Sequence, residues 1–160
     1  MAVDIFLKLT DIDGEAQDET HTDEIDILAY SWGSSQAGTT HMGGGGGGGK
    51  ANFQDLSVTK YVDASSVPLL QYLTQGTHID EGTLTVRKAG EDPLEYIVFD
   101  FEDIIVTSIS TGGSGGEDRL TENVTLNFSV FTSKYVQQAE EGGEDAEKEF
   151  AWDIAGNAPV

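Results

Sequence analysis

The sequence predicts a mainly β fold: an antiparallel β-barrel or sandwich with one short α-helix flanking it and long extended loops. Three observations lead there. Apolar and polar residues alternate with period 2 along Val3–Leu9, Phe53–Val62 and Val124–Phe128, as half-buried strands require. Helical spacing occurs in one substantial stretch, between Asp63 and Gly76. Turn-forming residues recur about every ten residues, the rhythm of all-β architectures.

The elements follow in order. Val3–Leu9 reads as a strand with Val3, Ile5, Leu7 and Leu9 on one face and Asp4, Phe6 and Lys8 on the other. Asp11–Thr22 is a polar loop. Glu24–Trp32 is a second strand, and Gly38–Lys50 a long glycine-dominated excursion. Phe53–Val62 is a third strand, with Leu56 and Val58 alternating with Asp55, Ser57 and Thr59. In the helix, Ser65 or Ser66 serves as N-cap, Pro68 suits the first turn, and Leu69, Leu70 and Leu73 share a side. Gly76 is its C-terminal stop. Gly82–Lys88 is a strand, and the Gly90–Pro93 cluster a turn. Leu94–Ile109 makes one long or two shorter strands, and Leu120–Val136 another long one. The acidic stretch Ala139–Glu149 reads as a linker before a short terminal strand, Phe150–Ile154. A chain of 160 residues fits one domain spanning 1–160, linker and terminal strand included.

Charge narrows the function classes. Eight basic residues against 29 acidic ones give a net charge of −21. Nucleic acid is thereby disfavoured, since phosphate contacts need clustered Lys and Arg, and so are anionic membrane surfaces. Cysteine is absent, so there is no disulfide framework and no thiolate metal site. The first residues, MAVDIFLKLTDIDGE, have no basic n-region and an apolar stretch broken by Lys8, unlike a secretory signal peptide. No run reaches the roughly 18–20 apolar residues of a membrane span. The expectation is a chain made in the cytoplasm without membrane insertion.

Three motifs invite a chemical reading, and each fails on context. Gly44 to Lys50 fits G-x-x-x-x-G-K, but Ala51 stands where a P-loop needs a hydroxyl for Mg²⁺, and a strand follows instead of a helix. Gly112-Gly113-Ser114-Gly115-Gly116 fits G-x-S-x-G. A nucleophile elbow, however, opens a helix and precedes its histidine, whereas His78 is the last histidine and lies upstream. Asp11-Ile12-Asp13-Gly14-Glu15 resembles a calcium loop only superficially. Its glycine comes at position four instead of six, and position twelve is Thr22. His21, His41 and His78 share no ligand spacing. No catalytic residue, metal site or cofactor is expected.

The seven glycines Gly43–Gly49 raise a different question. Ordering each residue costs roughly 1–2 kcal/mol, so fixing the run costs on the order of 7–14 kcal/mol with no side chains to bury. A run of this kind is either left unfixed or held against something else, and glycine lets one backbone lie flush on another.

Four co-linear segments supply a candidate for that something. They are Glu24–Gly38 (EIDILAYSWGSSQAG), His41–Val62 (HMGGGGGGGKANFQDLSVTKYV), Leu84–Gly90 (LTVRKAG) and Ser110–Phe128 (STGGSGGEDRLTENVTLNF). Together they closely resemble the Hcp family, the haemolysin-coregulated proteins that build the inner tube of the bacterial type VI secretion machine.

The resemblance implies a structural protein, not an enzyme. Its subunits form six-membered rings that stack into a tube, driven out by a contractile sheath and tipped by a spike protein, with small effector proteins inside. Export then needs no signal peptide. As the resemblance implies, His41, Gly43, Gly44, Gly45, Gly46, Gly47, Gly48, Gly49 and Lys50 would make ring contacts. Glu117, Asp118 and Arg119 would make subunit or loop contacts, and Ser114 is a lumen candidate. Two alternatives stand beside this reading: a phage-like tail tube protein, and a secreted binding module that acts as a ring or monomer without stacking. The sequence departs from the family's usual look in its charge, which sets copies against one another.

Overall fold

The computed structural model describes residues 2–38, 48–140 and 144–160. In chain order the elements are β1 (Val3–Leu9), β2 (Ile25–Ser31), β3 (Ser34–Ser35), β4 (Asn52–Phe53), β5 (Leu56–Tyr61), α1 (Ser66–Gln75), β6 (Ile79–Lys88), β7 (Leu94–Thr111), β8 (Thr121–Asn127), β9 (Val130–Gln138), β10 (Glu144–Asp153) and β11 (Ala158–Pro159). Six antiparallel strands, β7-β6-β1-β2-β5-β8, close into a barrel because β8 pairs with β7 as well as with β5. Strands β9, β10 and β11 continue from β7 as a flange beside the barrel. No helix among the described residues is long and apolar enough to cross a membrane.

β7 organises this layout. One edge carries β6 from Leu94 to Ile104; the other carries β9 over Ile97–Glu102 and then β8 over Ile105–Thr111. The predicted single strand Leu120–Val136 is therefore two strands laid end to end along β7. They break at Phe128 and Ser129, where the chain changes its outer partner from β5 to β10. Opposite the break, Asp103 has a left-handed backbone with φ 55°, and the Ser129 hydroxyl donates to its carboxylate at 2.7 Å.

Two other expectations are corrected. Phe53–Val62 divides into β4 and β5, because Gln54 leaves the ladder: its N–H donates to Gly33 O at 2.9 Å and its carbonyl accepts from Trp32 Nε1 at 2.9 Å. The acidic stretch read as a linker carries the N-terminal part of β10, which runs from Glu144 and not from Phe150. Its charges are tolerated because residues Ala146–Phe150 are exposed on both faces, and Lys134 lies 3.4 Å from Glu147 across the ladder.

Alternation fills the barrel. Leu7, Leu9, Ile25, Ile27, Leu56, Val58, Leu84, Ile104, Val106, Val124 and Leu126 are buried in one cluster. α1 packs on β7 through Leu69, and it ends as the sequence suggests, with Gly76 left-handed at φ 63°. Alternation carried one step past Val58 and Val124 puts Lys60 and Glu122 inside as well. They face each other in register. Lys60 is 0% exposed and pairs with Glu122 and, at 3.1 Å, with Asp63. The Ser66 hydroxyl donates to Glu122 at 2.6 Å and lies 3.2 Å from Lys60 Nζ, which ties the start of α1 to the end of the barrel.

Outside the barrel a second network straps the Asp11–Glu24 segment to β1 and β6. Phe6, on the nominally polar face of β1, is buried beneath the stacked ring of His21, 4.4 Å between centroids, with Arg87 at 5.1 Å. Arg87 donates to both oxygens of Asp18 at 2.6 and 2.9 Å, and to Asp4 at 3.1 Å. His21 spans Glu24 and Glu95, at 2.8 and 2.6 Å. The hydrogen bonds from Arg87 hold the Asp18 carboxyl far below the usual carboxylate range.

Two outcomes follow. Lys60→Met leaves Glu122 and Asp63 buried without a cation and should cost about 3–5 kcal/mol in urea unfolding, and adding Glu122→Leu should recover part of the loss. Asp18→Asn should destabilise the chain at pH 7. Because the folded Asp18 carboxyl titrates below its unfolded value of about 4, its contribution is fully present above that value and fades as pH falls toward the depressed one. The gap between wild type and variant should thus hold from pH 7 to about pH 5 and narrow by about pH 3. A gap that widens on acidification would contradict the ion pair.

Candidate assembly surfaces

β3 and β4 form a two-stranded arm that leaves the barrel. Ser34 pairs with Phe53, Ser35 with Asn52, and Gly38 bridges Gly48 farther out. Both sides of the arm are largely exposed, Gly48, Gly49 and Lys50 included. Its root is fixed by Trp32, which meets Phe99, Phe101, Phe128 and Phe131 edge-on at 5.0–5.7 Å. The barrel thus holds the base of the predicted glycine excursion and presents its stem. His41, Gly43, Gly44, Gly45, Gly46 and Gly47 lie outside the described residues.

The second predicted surface, residues 112–120, is the hairpin loop joining β7 to β8. It is exposed throughout, and side chains could be added at Gly112, Gly115 and Gly116 into open space. Gly113 differs: a Cβ there would lie 2.7 Å from Leu120 Cδ2. The Ser114 carbonyl accepts from the Glu117 N–H at 3.1 Å, making a turn. Arg119 stacks over the Tyr61 ring at 3.7 Å, so this cation is engaged within its own chain while Glu117 and Asp118 face solvent.

Neither surface shows catalytic geometry. Among the described residues, no hydrogen bond joins the Ser114 hydroxyl to a histidine. His78, Asp103 and Ser129 do come together, but with the carboxylate in the middle. Ser129 and His78 both bond Asp103, and these bonds lower its pKa, that from Ser129 most. A hydroxyl that gives its proton to the carboxylate is not activated by the imidazole, so this is not a nucleophile–base pair. No group of three or more His, Asp or Glu side chains converges as metal ligands among the described residues.

Residues 6–135 match the family model described as "Type VI secretion system effector, Hcp". The chain belongs to the Hcp family. It is 52% identical over 159 residues to protein hcp1 of Pseudomonas aeruginosa, covering 98% of both chains. Hcp1 of Salmonella typhimurium superposes with a TM-score of 0.83 at 37% identity, with full coverage of both chains. A further solved structure, described as a type six secretion system protein, reaches a TM-score of 0.94 at 29% identity over 99% of this chain and 100% of that one. The barrel with its flange is therefore the fold of Hcp proteins, and type VI secretion is the process this chain serves.

Within this Hcp chain, two features escaped the sequence reading. Lys60 and Glu122 carry a readable signal, opposite charges at inward positions of adjacent strands. The strap built on Phe6, His21 and Arg87 has none, because Arg87 lies 66 residues from His21 and 69 from Asp18 in the chain, and only the fold brings them together.

Proposed function

We propose that copies of this chain form six-membered rings that stack into the inner tube of a type VI machine, carry small effector proteins in the lumen, and are expelled with a spike protein at the tip by a contracting sheath. The observation that carries the reading is 52% identity to hcp1 of Pseudomonas aeruginosa over nearly the whole of both chains. The arm and the exposed hairpin loop support it, because both project from a closed barrel. In this reading the protein is structural, made in the cytoplasm and secreted without a signal peptide.

Two different contacts are required. A head-to-tail contact between barrels closes a ring, and a second that does not close propagates the filament. The arm with Gly48, Gly49 and Lys50 serves one of them, and Glu117 and Asp118 on the hairpin loop face the next copy. Ser114 and its glycines line the lumen.

Charge sets the conditions. Six copies carry 6 × −21 = −126. Screening shortens from about 10 Å at 0.1 M salt to about 3 Å at 1 M, so like-charged copies approach more easily as salt rises. Light scattering after size exclusion should therefore give a larger ring fraction at about 1 M than at about 20 mM salt. The ring mass is six times 17.1 kDa, about 103 kDa. A monomer at both salts would overturn the ring and favour the non-stacking binding module; a phage-like tail tube would assemble similarly but sit beside capsid genes.

A further inference from the structure

The strap over β1 and β6 is fastened at few points. Its turn, Asp18–Thr22, is closed mostly on itself: the Asp18 carboxylate accepts from the Thr20 and His21 N–H groups at 3.1 and 3.2 Å, and the Thr22 hydroxyl donates to the Asp18 carbonyl at 2.8 Å. Among the described residues, the side-chain hydrogen bonds from this turn to the strands run through Asp18, to Arg87, and through His21, to Glu95. The two ties differ in kind. Arg87 keeps its charge throughout, and Asp18 is held far below the usual carboxylate range. His21 is the one side chain of the strap whose ordinary charge change falls between about pH 5 and pH 8.

His21 lies between two carboxylates. Its Nδ1 is 2.8 Å from Glu24 at the foot of the strap, and its Nε2 is 2.6 Å from Glu95 on β7. A neutral imidazole has one N–H and one lone pair, so it donates to one carboxylate and turns a lone pair toward the other. The imidazolium donates to both. The charges gathered around the ring and Arg87 suit that form. Against the single Arg87 cation from β6 stand Asp4 from β1, Asp18 and Glu24 from the strap, and Glu95 from β7. His21 is buried, which leaves little water to satisfy a lone pair or to dilute those charges.

The two carboxylates are not equivalent. The Glu24 side chain is 14% exposed and that of Glu95 is 40% exposed. A ring that loses its proton keeps the acceptor that water reaches least, and Glu95 turns to solvent. We propose that His21 is a proton-dependent latch on the strap: as imidazolium it fastens the turn Asp18–Thr22 to β7 through Glu95, and as neutral imidazole it stays with Glu24, releases Glu95 and lifts off the Phe6 ring. The stack on Phe6, 4.4 Å between centroids, weakens at the same step, because an aromatic face holds a cation more firmly than a neutral ring. Opening uncovers Phe6, which is buried while the latch is closed. Arg87 and Asp18 stay paired, so the turn swings from one end and the barrel keeps its pairing. The latch does not depend on how copies of the chain assemble.

The test is nuclear magnetic resonance of the full chain with labelled histidine and phenylalanine. Three histidines are present, and His21→Phe identifies the His21 signals by their loss. At about pH 6 both His21 ring nitrogens should carry protons, with strong cross-relaxation between the His21 and Phe6 rings; by about pH 9 one nitrogen should be bare and that ring-to-ring signal reduced by more than about half. Glu95→Gln is the decisive variant, since its side chain is part-exposed and its amide offers an oxygen to the protonated ring and an N–H to the neutral one. In that variant the contact with Phe6 should persist at both pH values. A wild-type His21 lacking one ring proton at the acid end, or a Phe6 contact that survives at the alkaline end, overturns the latch. So does a Glu95→Gln chain that still loses the contact as pH rises.

Discussion

β8 closes the barrel: one edge pairs with β5 along Leu56–Tyr61 and the other with β7 along Ile105–Thr111. At the end of that closure Lys60 and Glu122 stand opposite each other, both buried, and Ser66 joins them to α1. A buried ion pair of this kind is poor evidence of net stability, because desolvating both charges offsets much of their attraction. Its effect is on register. A slip of one residue would turn Glu122 outward and leave buried Lys60 with Asp63 as its remaining carboxylate partner. One pairing of β5 with β8 is thereby selected, and with it the geometry of everything that projects from the barrel.

Three parts project: the β3–β4 arm, the hairpin loop 112–120 and the β9–β11 flange. The first is anchored by Trp32 in a cage of phenylalanines, the second by Arg119 on Tyr61, and the third by the continuity of β7. Each has a rigid root and an exposed outer part. That division suits the proposed ring, in which the barrel would set direction and the projections would make contact. On that proposal the net charge of −21 opposes contact, and ionic strength would decide how far the copies approach.

Strand alternation made the fold class, the helix and its glycine stop legible from sequence. It failed where a strand lacks a buried face. In β10, Glu147, Lys148 and Glu149 break any period because both faces are open, and the stretch reads as a linker. It also failed where one apolar rhythm hides a change of partner, as at Phe128 and Ser129. Of the candidate surfaces, the glycine arm and the hairpin loop were visible from composition and from the family resemblance. The placement of Tyr135, Lys148 and Phe150 on one face of β9 and β10 was not legible, because neighbours across a ladder cannot be paired before register is known. The strap on Phe6 was hidden for the same reason: β1 alone assigns that ring to solvent, and only the fold brings His21 and Arg87 over it.

The most direct test is electron cryo-microscopy of the purified protein at high salt. The account predicts six-fold rings that stack, with the β3–β4 arms in contact with a neighbouring copy. Isolated single barrels, or rings that leave the arms in solvent, would contradict it.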